Sequence, residues 1–93
     1  MNSTEIVRYH MNISGSVQGV GFRYRARYAA QGLYITGWVK NEWDGTVTME
    51  VQGTLDQIDR MLTMINSGSY ISIDGIKKQQ LPVDPEERGF HVR

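Results

Sequence analysis

The chain has no cysteine, only two prolines, and no apolar run that approaches the length of a membrane-spanning helix. The lack of cysteine excludes disulfides, zinc–thiolate sites and thiol catalysis. The lack of a long apolar run argues against a transmembrane helix, and the first residues, Met-Asn-Ser-Thr-Glu, do not resemble a secretory signal. With 93 residues, the chain fits one small domain with a single core. We therefore expect one cytoplasmic domain over residues 1–93, with residues 1–6 as a loose extension.

Acidic residues are missing from a long part of the chain, although the whole chain has ten basic and ten acidic residues and no net charge. A neutral balance argues against a broad basic surface for nucleic acid or membrane lipid. Between Glu5 and Glu42, however, Arg23, Arg25 and Arg27 have no acidic neighbours in sequence. Any anion site should therefore be local, and we expect neither nucleic acid nor a membrane as a partner.

The spacing of apolar residues predicts strands and helices in the order βαββαβ. The predicted strands cover roughly residues 7–14, 35–40, 46–52 and 70–80, with a short edge piece at 90–92. The predicted helices cover roughly residues 22–32 and 55–67. This order favours an α+β split βαβ arrangement, with a four- to five-stranded antiparallel sheet and both helices on one face.

The first predicted helix has an unfavourable start, preceded by the glycine-rich sequence GSVQGVGFR at residues 15–23. The first four N–H groups of a helix lack partners within it, and a cap or an acidic first turn usually offsets them. The second predicted helix has such a start, because Thr54 and Gln57 form a capping box. The first helix has Arg23 and Arg25 instead. An anion bound at this end would account for both features.

Glycine allows the backbone of such a loop to turn its N–H groups toward one point, where they can bind a phosphate or another anion. Gly19 and Gly21 would permit this geometry, with Arg23 at the rim. The plainer alternative is a long turn in which glycine serves geometry alone. The loop lacks the Lys-Ser or Lys-Thr that follows the last glycine of a nucleotide-hydrolase phosphate loop, and it lacks the glycine spacing of a dinucleotide site.

Two sequence blocks, GSVQGVGFR at residues 15–23 and GWVKNEWDGTV at residues 37–47, together resemble the acylphosphatase family. The resemblance extends over about residues 7–93 and implies a ferredoxin-like fold. It also implies hydrolysis of the carboxyl–phosphate bond of acyl phosphates, with Arg23 and Asn41 as the catalytic pair. One departure is Tyr34, which stands where the family usually has a glycine.

The resemblance further implies how the phosphate is held. The predicted phosphate-binding residues, which act through the loop backbone, are Ser16, Val17, Gln18, Gly19, Val20 and Gly21. Arg23 would bind the phosphoryl group and stabilise its developing charge, while Asn41 would orient the attacking water. We expect no metal and no cofactor. The expected ligands are a small acyl phosphate and inorganic phosphate, which is both product and competitor, and the expected state is a monomer.

Other candidate sites are weaker. His10 and His91 lie in predicted strands, where surface histidines are more common than metal ligands. Glu42 and Asp44 are typical of a hairpin turn. Trp38 and Trp43 could stack on bases, but the polar positions of the first and third strands lack the aromatic residues of an RNA-binding sheet. The remaining functional alternative is a non-catalytic ferredoxin-like module that holds a phosphate group, as a domain of hydrogenase maturation proteins does for carbamoyl phosphate.

Overall fold

A computed structural model describes residues 4–93 of the protein. The strands are β1 (Val7–Ser16), β2 (Thr36–Asn41), β3 (Val47–Gly53), β4 (Ser72–Leu81) and β5 (Phe90–Val92), and the helices are α1 (Phe22–Leu33) and α2 (Leu55–Asn66). The predicted order is therefore confirmed. Residues 1–3 of the predicted extension lie outside the described residues, and residues 4–6 are exposed.

One sheet has the strand order β4-β1-β3-β2-β5. The first four strands pair antiparallel, as predicted, whereas β5 pairs parallel with β2 and makes the sheet mixed. β4 contains a bulge, because Ile73 lies opposite Gly15 and Gly75 opposite Ser14, so that Asp74 is an extra residue. The loop before β5 and the pairing of β5 bring the end of the chain to the β2 side of the sheet.

The core lies between the sheet and the two helices. α1 buries Phe22 and three alanines, and the small side chains allow close packing on the sheet. α2 buries Ile58, Met61 and Ile65, while Leu55 is exposed in the first turn. The predicted capping box of α2 is present: the Gln57 N–H donates to Thr54 Oγ1 at 3.1 Å and the Thr54 N–H to Gln57 Oε1 at 2.8 Å. No helix within residues 4–93 is long and apolar enough to cross a membrane.

The opposite face of the sheet is covered in part by the segment of residues 82–89. Arg8 is only 6% exposed and donates to both carboxylate oxygens of Glu87, at 2.6 and 3.0 Å. Arg8 also donates to Glu50 at 2.9 Å. Nearby, the Gln52 amide donates to the main-chain oxygen of Asp84 and accepts from its N–H. These contacts hold the segment that leads into β5.

Candidate functional site

The glycine loop connects β1 to α1 and leaves the first turn of α1 without a cap. Gly19 and Gly21 have φ angles of 72° and 82°, in the left-handed region that favours glycine. Gly21 occupies the N-cap position, so no side chain accepts a hydrogen bond from the first turn, and no acidic residue lies there. The Arg25 N–H makes the first bond of the helix, to the Gly21 carbonyl at 3.0 Å. The helix therefore presents free N–H groups and positive potential to the loop.

A pocket of 180 Å³ lies at this helix start, and it contains both residues of the predicted catalytic pair. Its lining residues are Val17, Gly19, Gly21, Phe22, Arg23, Tyr24 and Asn41. The loop and α1 supply all of these except Asn41, which is the last residue of β2. A larger, open groove of 480 Å³ lies between α2 and β4, but none of its lining residues is charged and none belongs to either sequence block.

Asn41 has the side-chain property that a water-positioning role requires. Its main chain pairs with Val47 at the end of the β2–β3 ladder, which fixes the residue at the pocket. Its Oδ1 atom is buried and has no hydrogen-bond partner among the described residues. A buried acceptor without a donor costs roughly 1–3 kcal/mol. Asn41 therefore lines the pocket with a side chain whose carbonyl acceptor has no donor among the described residues.

Arg23 is held by the end of the chain, which sequence reasoning did not foresee. Its Nη1 donates to the main-chain oxygen of Arg93 at 3.0 Å. Arg93 is itself fixed, because its N–H donates to the Val39 carbonyl at 2.8 Å and its guanidinium lies 4.3 Å from the centre of the Trp38 ring. β5 therefore places the main-chain oxygen of Arg93 where it can hold the Arg23 side chain at the pocket. Only the parallel pairing of β5 with β2 reveals this, since no sequence signal links residues 23 and 93.

The six predicted phosphate-binding residues do not all line the pocket. Val17, Gly19 and Gly21 do. The side chain of Gln18 instead ties the loop to the β2–β3 turn, as its Nε2 donates to the carbonyls of Glu42 at 2.6 Å and Thr46 at 2.8 Å. The Ser16 hydroxyl makes a long contact of 3.4 Å with the Tyr70 carbonyl, and Val20 packs against the core. A role of the backbone N–H groups in binding phosphate stays a prediction.

The weaker candidates have structural partners. His10 contacts Glu50 at 2.7 Å, and His91 contacts the Arg88 carbonyl at 2.8 Å. Asp44 accepts from the hydroxyl and the N–H of Thr46 at 2.7 and 3.0 Å, hydrogen bonds that lower its pKa and fit a turn residue. Within residues 4–93, no three His, Cys, Asp or Glu side chains are grouped so that they could hold a metal ion.

Comparison with known proteins places these features in one family. The sequence profile of the acylphosphatase family matches residues 9–92. An acylphosphatase of Geobacillus thermodenitrificans is 40% identical over 86 residues, which are 91% of this chain and 92% of the relative. The structure of an acylphosphatase from Coxiella burnetii matches with a TM-score of 0.84 and 30% identity, over 99% of this chain and 97% of that one.

The chain therefore belongs to the acylphosphatase family. It is a hydrolase of acyl phosphates with a ferredoxin-like fold, which confirms the enzyme class and the fold that the two sequence blocks predict. A third match is to a structure of full-length HypF in a phosphate- and nucleotide-bound form, with a TM-score of 0.79 and 29% identity; it covers 96% of this chain but 12% of that chain.

Proposed function

We propose that the protein hydrolyses acyl phosphates by direct attack of water on phosphorus, with the phosphoryl group held by Arg23 and the loop backbone and the water held by Asn41. The observation that carries this proposal is the unpartnered, buried Oδ1 of Asn41 in the same small pocket as Arg23 and the uncapped start of α1. The pocket thus combines groups that attract an anion with an amide acceptor that has no donor among the described residues.

The chemistry follows from these groups. A new bond forms between the water oxygen and phosphorus as the bond from phosphorus to the carboxyl oxygen breaks, and the carboxylate leaves with the bonding electrons. Charge develops on the equatorial phosphoryl oxygens, where the Arg23 guanidinium and main-chain N–H groups can stabilise it. A carboxylate needs little protonation to leave, so no strong general acid is required. The proton lost by water passes to a phosphate oxygen, since the neutral Asn41 amide is not a base.

The non-catalytic alternative is less well supported. One parallel to it among the matched structures is the phosphate- and nucleotide-bound HypF chain, of which this chain covers 12%. By contrast, the chain spans 92% of the Geobacillus acylphosphatase. We propose that the enzyme acts as a monomer in the cytoplasm.

The direct test is an assay of benzoyl phosphate hydrolysis by the purified protein, in which the release of benzoate and phosphate is measured. We expect turnover, competitive inhibition by inorganic phosphate, and no loss of rate in EDTA, because the positive potential of the pocket comes from Arg23 and backbone N–H groups. Phosphate binding without turnover would favour the non-catalytic module. Loss of activity in EDTA with recovery on adding a divalent ion would contradict the metal-independent mechanism. Light scattering of the same sample tests the monomer.

A further inference from the structure

Tyr24 is the one large exposed side chain that lines the phosphate pocket in the described part of the chain. It follows Arg23 and is the third residue of α1, and its side chain is 61% exposed. Side chains near the start of a helix lean toward the amino-terminal end, which here is the side of the glycine loop. The exposed aromatic residues Tyr28, Tyr34, Trp43 and Tyr70 do not line this pocket.

The geometry of the proposed reaction leaves few places for the acyl group. The leaving carboxylate lies in line with the attacking water, on the far side of phosphorus from it, and therefore away from Asn41. Of the other side chains that line the pocket, Val17 and Phe22 are 1% exposed and belong to the core, and Arg23 is committed to the phosphoryl group. The two glycines offer only backbone. Tyr24 is the remaining side chain with apolar surface.

A cation also contacts the Tyr24 ring. The guanidinium carbon of Arg27, one turn further along α1, lies 5.7 Å from the centre of that ring. An arginine at this distance attracts an aromatic face and restricts the movement of an exposed ring. A ring held in this way at the edge of the pocket gives a flat apolar surface beside the position of the scissile bond.

On the basis of the proposed function, we propose that Tyr24 forms the acyl subsite and makes the enzyme select acyl phosphates with a flat, aromatic acyl group over those with a small aliphatic one. Aromatic pairs prefer offset or edge-to-face packing and gain energy beyond the area that they bury. A methyl group offers less area and no such pairing. The selectivity should therefore appear in the comparison of benzoyl phosphate with acetyl phosphate.

The test compares kcat/KM for these two substrates in the wild type, Tyr24→Ala, Tyr24→Phe and Tyr28→Ala. We expect Tyr24→Ala to lower the ratio of benzoyl to acetyl phosphate roughly three- to tenfold, the size of a lost aromatic pair. Tyr24→Phe should keep the ratio. Tyr28→Ala is the matched control, because Tyr28 is an exposed tyrosine on the same helix that does not line the pocket. A ratio that Tyr24→Ala leaves unchanged, or that Tyr28→Ala lowers equally, would overturn the subsite.

A binding measurement separates this proposal from the proposed catalytic function. 2-Phenylethylphosphonate and propylphosphonate resemble the two substrates in length but cannot be hydrolysed, so calorimetry reports the subsite without turnover. We expect the wild type to bind the phenyl compound more tightly, and Tyr24→Ala to lose most of that difference. Such a result in a protein without turnover would reject the catalytic proposal and keep the subsite. Equal affinities in the wild type, with turnover of both substrates, would reject the subsite alone.

Discussion

At the scale of single residues, Tyr34 adopts a backbone conformation that favours glycine. It ends α1 with φ 60° and ψ 31°, in the left-handed region, and its side chain is 87% exposed. Its N–H donates to the Gln31 carbonyl and the next N–H, of Ile35, to the Ala30 carbonyl, as in a Schellman motif. The departure from the family pattern thus falls where a side chain is strained, and the helix exit keeps its geometry.

Tyr34→Gly should raise the free energy of unfolding by about 0.5–1 kcal/mol. This net gain is the strain that glycine relieves minus the cost of its greater conformational entropy in the unfolded chain. Tyr28→Gly is the matched control, since Tyr28 is an exposed tyrosine in the right-handed interior of the same helix, where glycine should destabilise by a similar amount. Urea unfolding of both variants measures the difference. Equal destabilisation by the two substitutions would show that the conformation of Tyr34 carries no strain.

At the scale of elements, the pocket depends on the attachment of the glycine loop to the β2–β3 turn. Gln18 makes this attachment through two hydrogen bonds to main-chain carbonyls, at 2.6 and 2.8 Å. Asn41 lies at the start of the same turn, so Gln18 links the part of the site that holds phosphate to the part that holds water. Its distance from the proposed chemistry makes it a positioning residue.

Gln18→Ala should therefore lower kcat/KM for benzoyl phosphate by roughly ten- to a hundredfold, because small displacements of positioned groups are costly. It should also lower the free energy of unfolding by about 1–2 kcal/mol. Asn12→Ala is the control: the Asn12 amide donates to the Thr46 hydroxyl at 2.9 Å, in the same turn, but does not belong to the loop. We expect Asn12→Ala to lose stability and to retain kcat/KM. Loss of activity in proportion to stability in both variants would contradict a positioning role.

The elements differ in how far sequence could predict them. β1, β3 and α2 follow from local signals, namely alternation and the Thr54–Gln57 capping box, and the pocket itself follows from the two sequence blocks. The support of Arg23 by Arg93 was not predictable, because it depends on a parallel edge strand positioned by long-range contacts of Arg8 and Gln52. The burial of Arg8 was likewise not predictable, because strand alternation places it on the polar face and its partners Glu50 and Glu87 lie far away in sequence. The role of the Gln18 side chain was not predictable either, because it depends on tertiary contacts with the carbonyls of Glu42 and Thr46.

At the scale of the whole molecule, a network of charges joins the sheet face opposite the helices to the segment of residues 82–89 before β5. Arg8 contacts Glu87 and Glu50, and Glu50 also contacts His10. Burial raises the pKa of Glu50, but hydrogen bonds from His10 and Arg8 outweigh that effect and hold the pKa below its ordinary value of 4.5. A carboxylate with a lowered pKa in the folded state stabilises the fold above its unfolded pKa and loses that contribution as the pH falls.

We therefore expect the free energy of unfolding to decline as the pH falls from about 5 through the folded pKa of Glu50. Glu50→Gln should be less stable than the wild type at neutral pH and should show a flatter decline in acid. Glu86→Gln is the control, because Glu86 is exposed in the neighbouring segment and should leave the acid profile close to that of the wild type. Urea unfolding at a series of pH values measures all three proteins. Parallel acid declines in Glu50→Gln and the wild type would contradict the assignment.

The measurement that tests the central claim most directly compares phosphate affinity with turnover in Arg23→Ala and Asn41→Ala. Arg23→Ala should weaken phosphate binding roughly ten- to a hundredfold and also lower kcat, because a charge-assisted contact is lost in both the ground state and the transition state. Asn41→Ala should leave the phosphate Kd within about twofold of the wild type while kcat for benzoyl phosphate falls roughly a hundredfold or more, because only the attacking water is affected. An Asn41→Ala protein with full turnover, or one that loses phosphate affinity as Arg23→Ala does, would contradict the account.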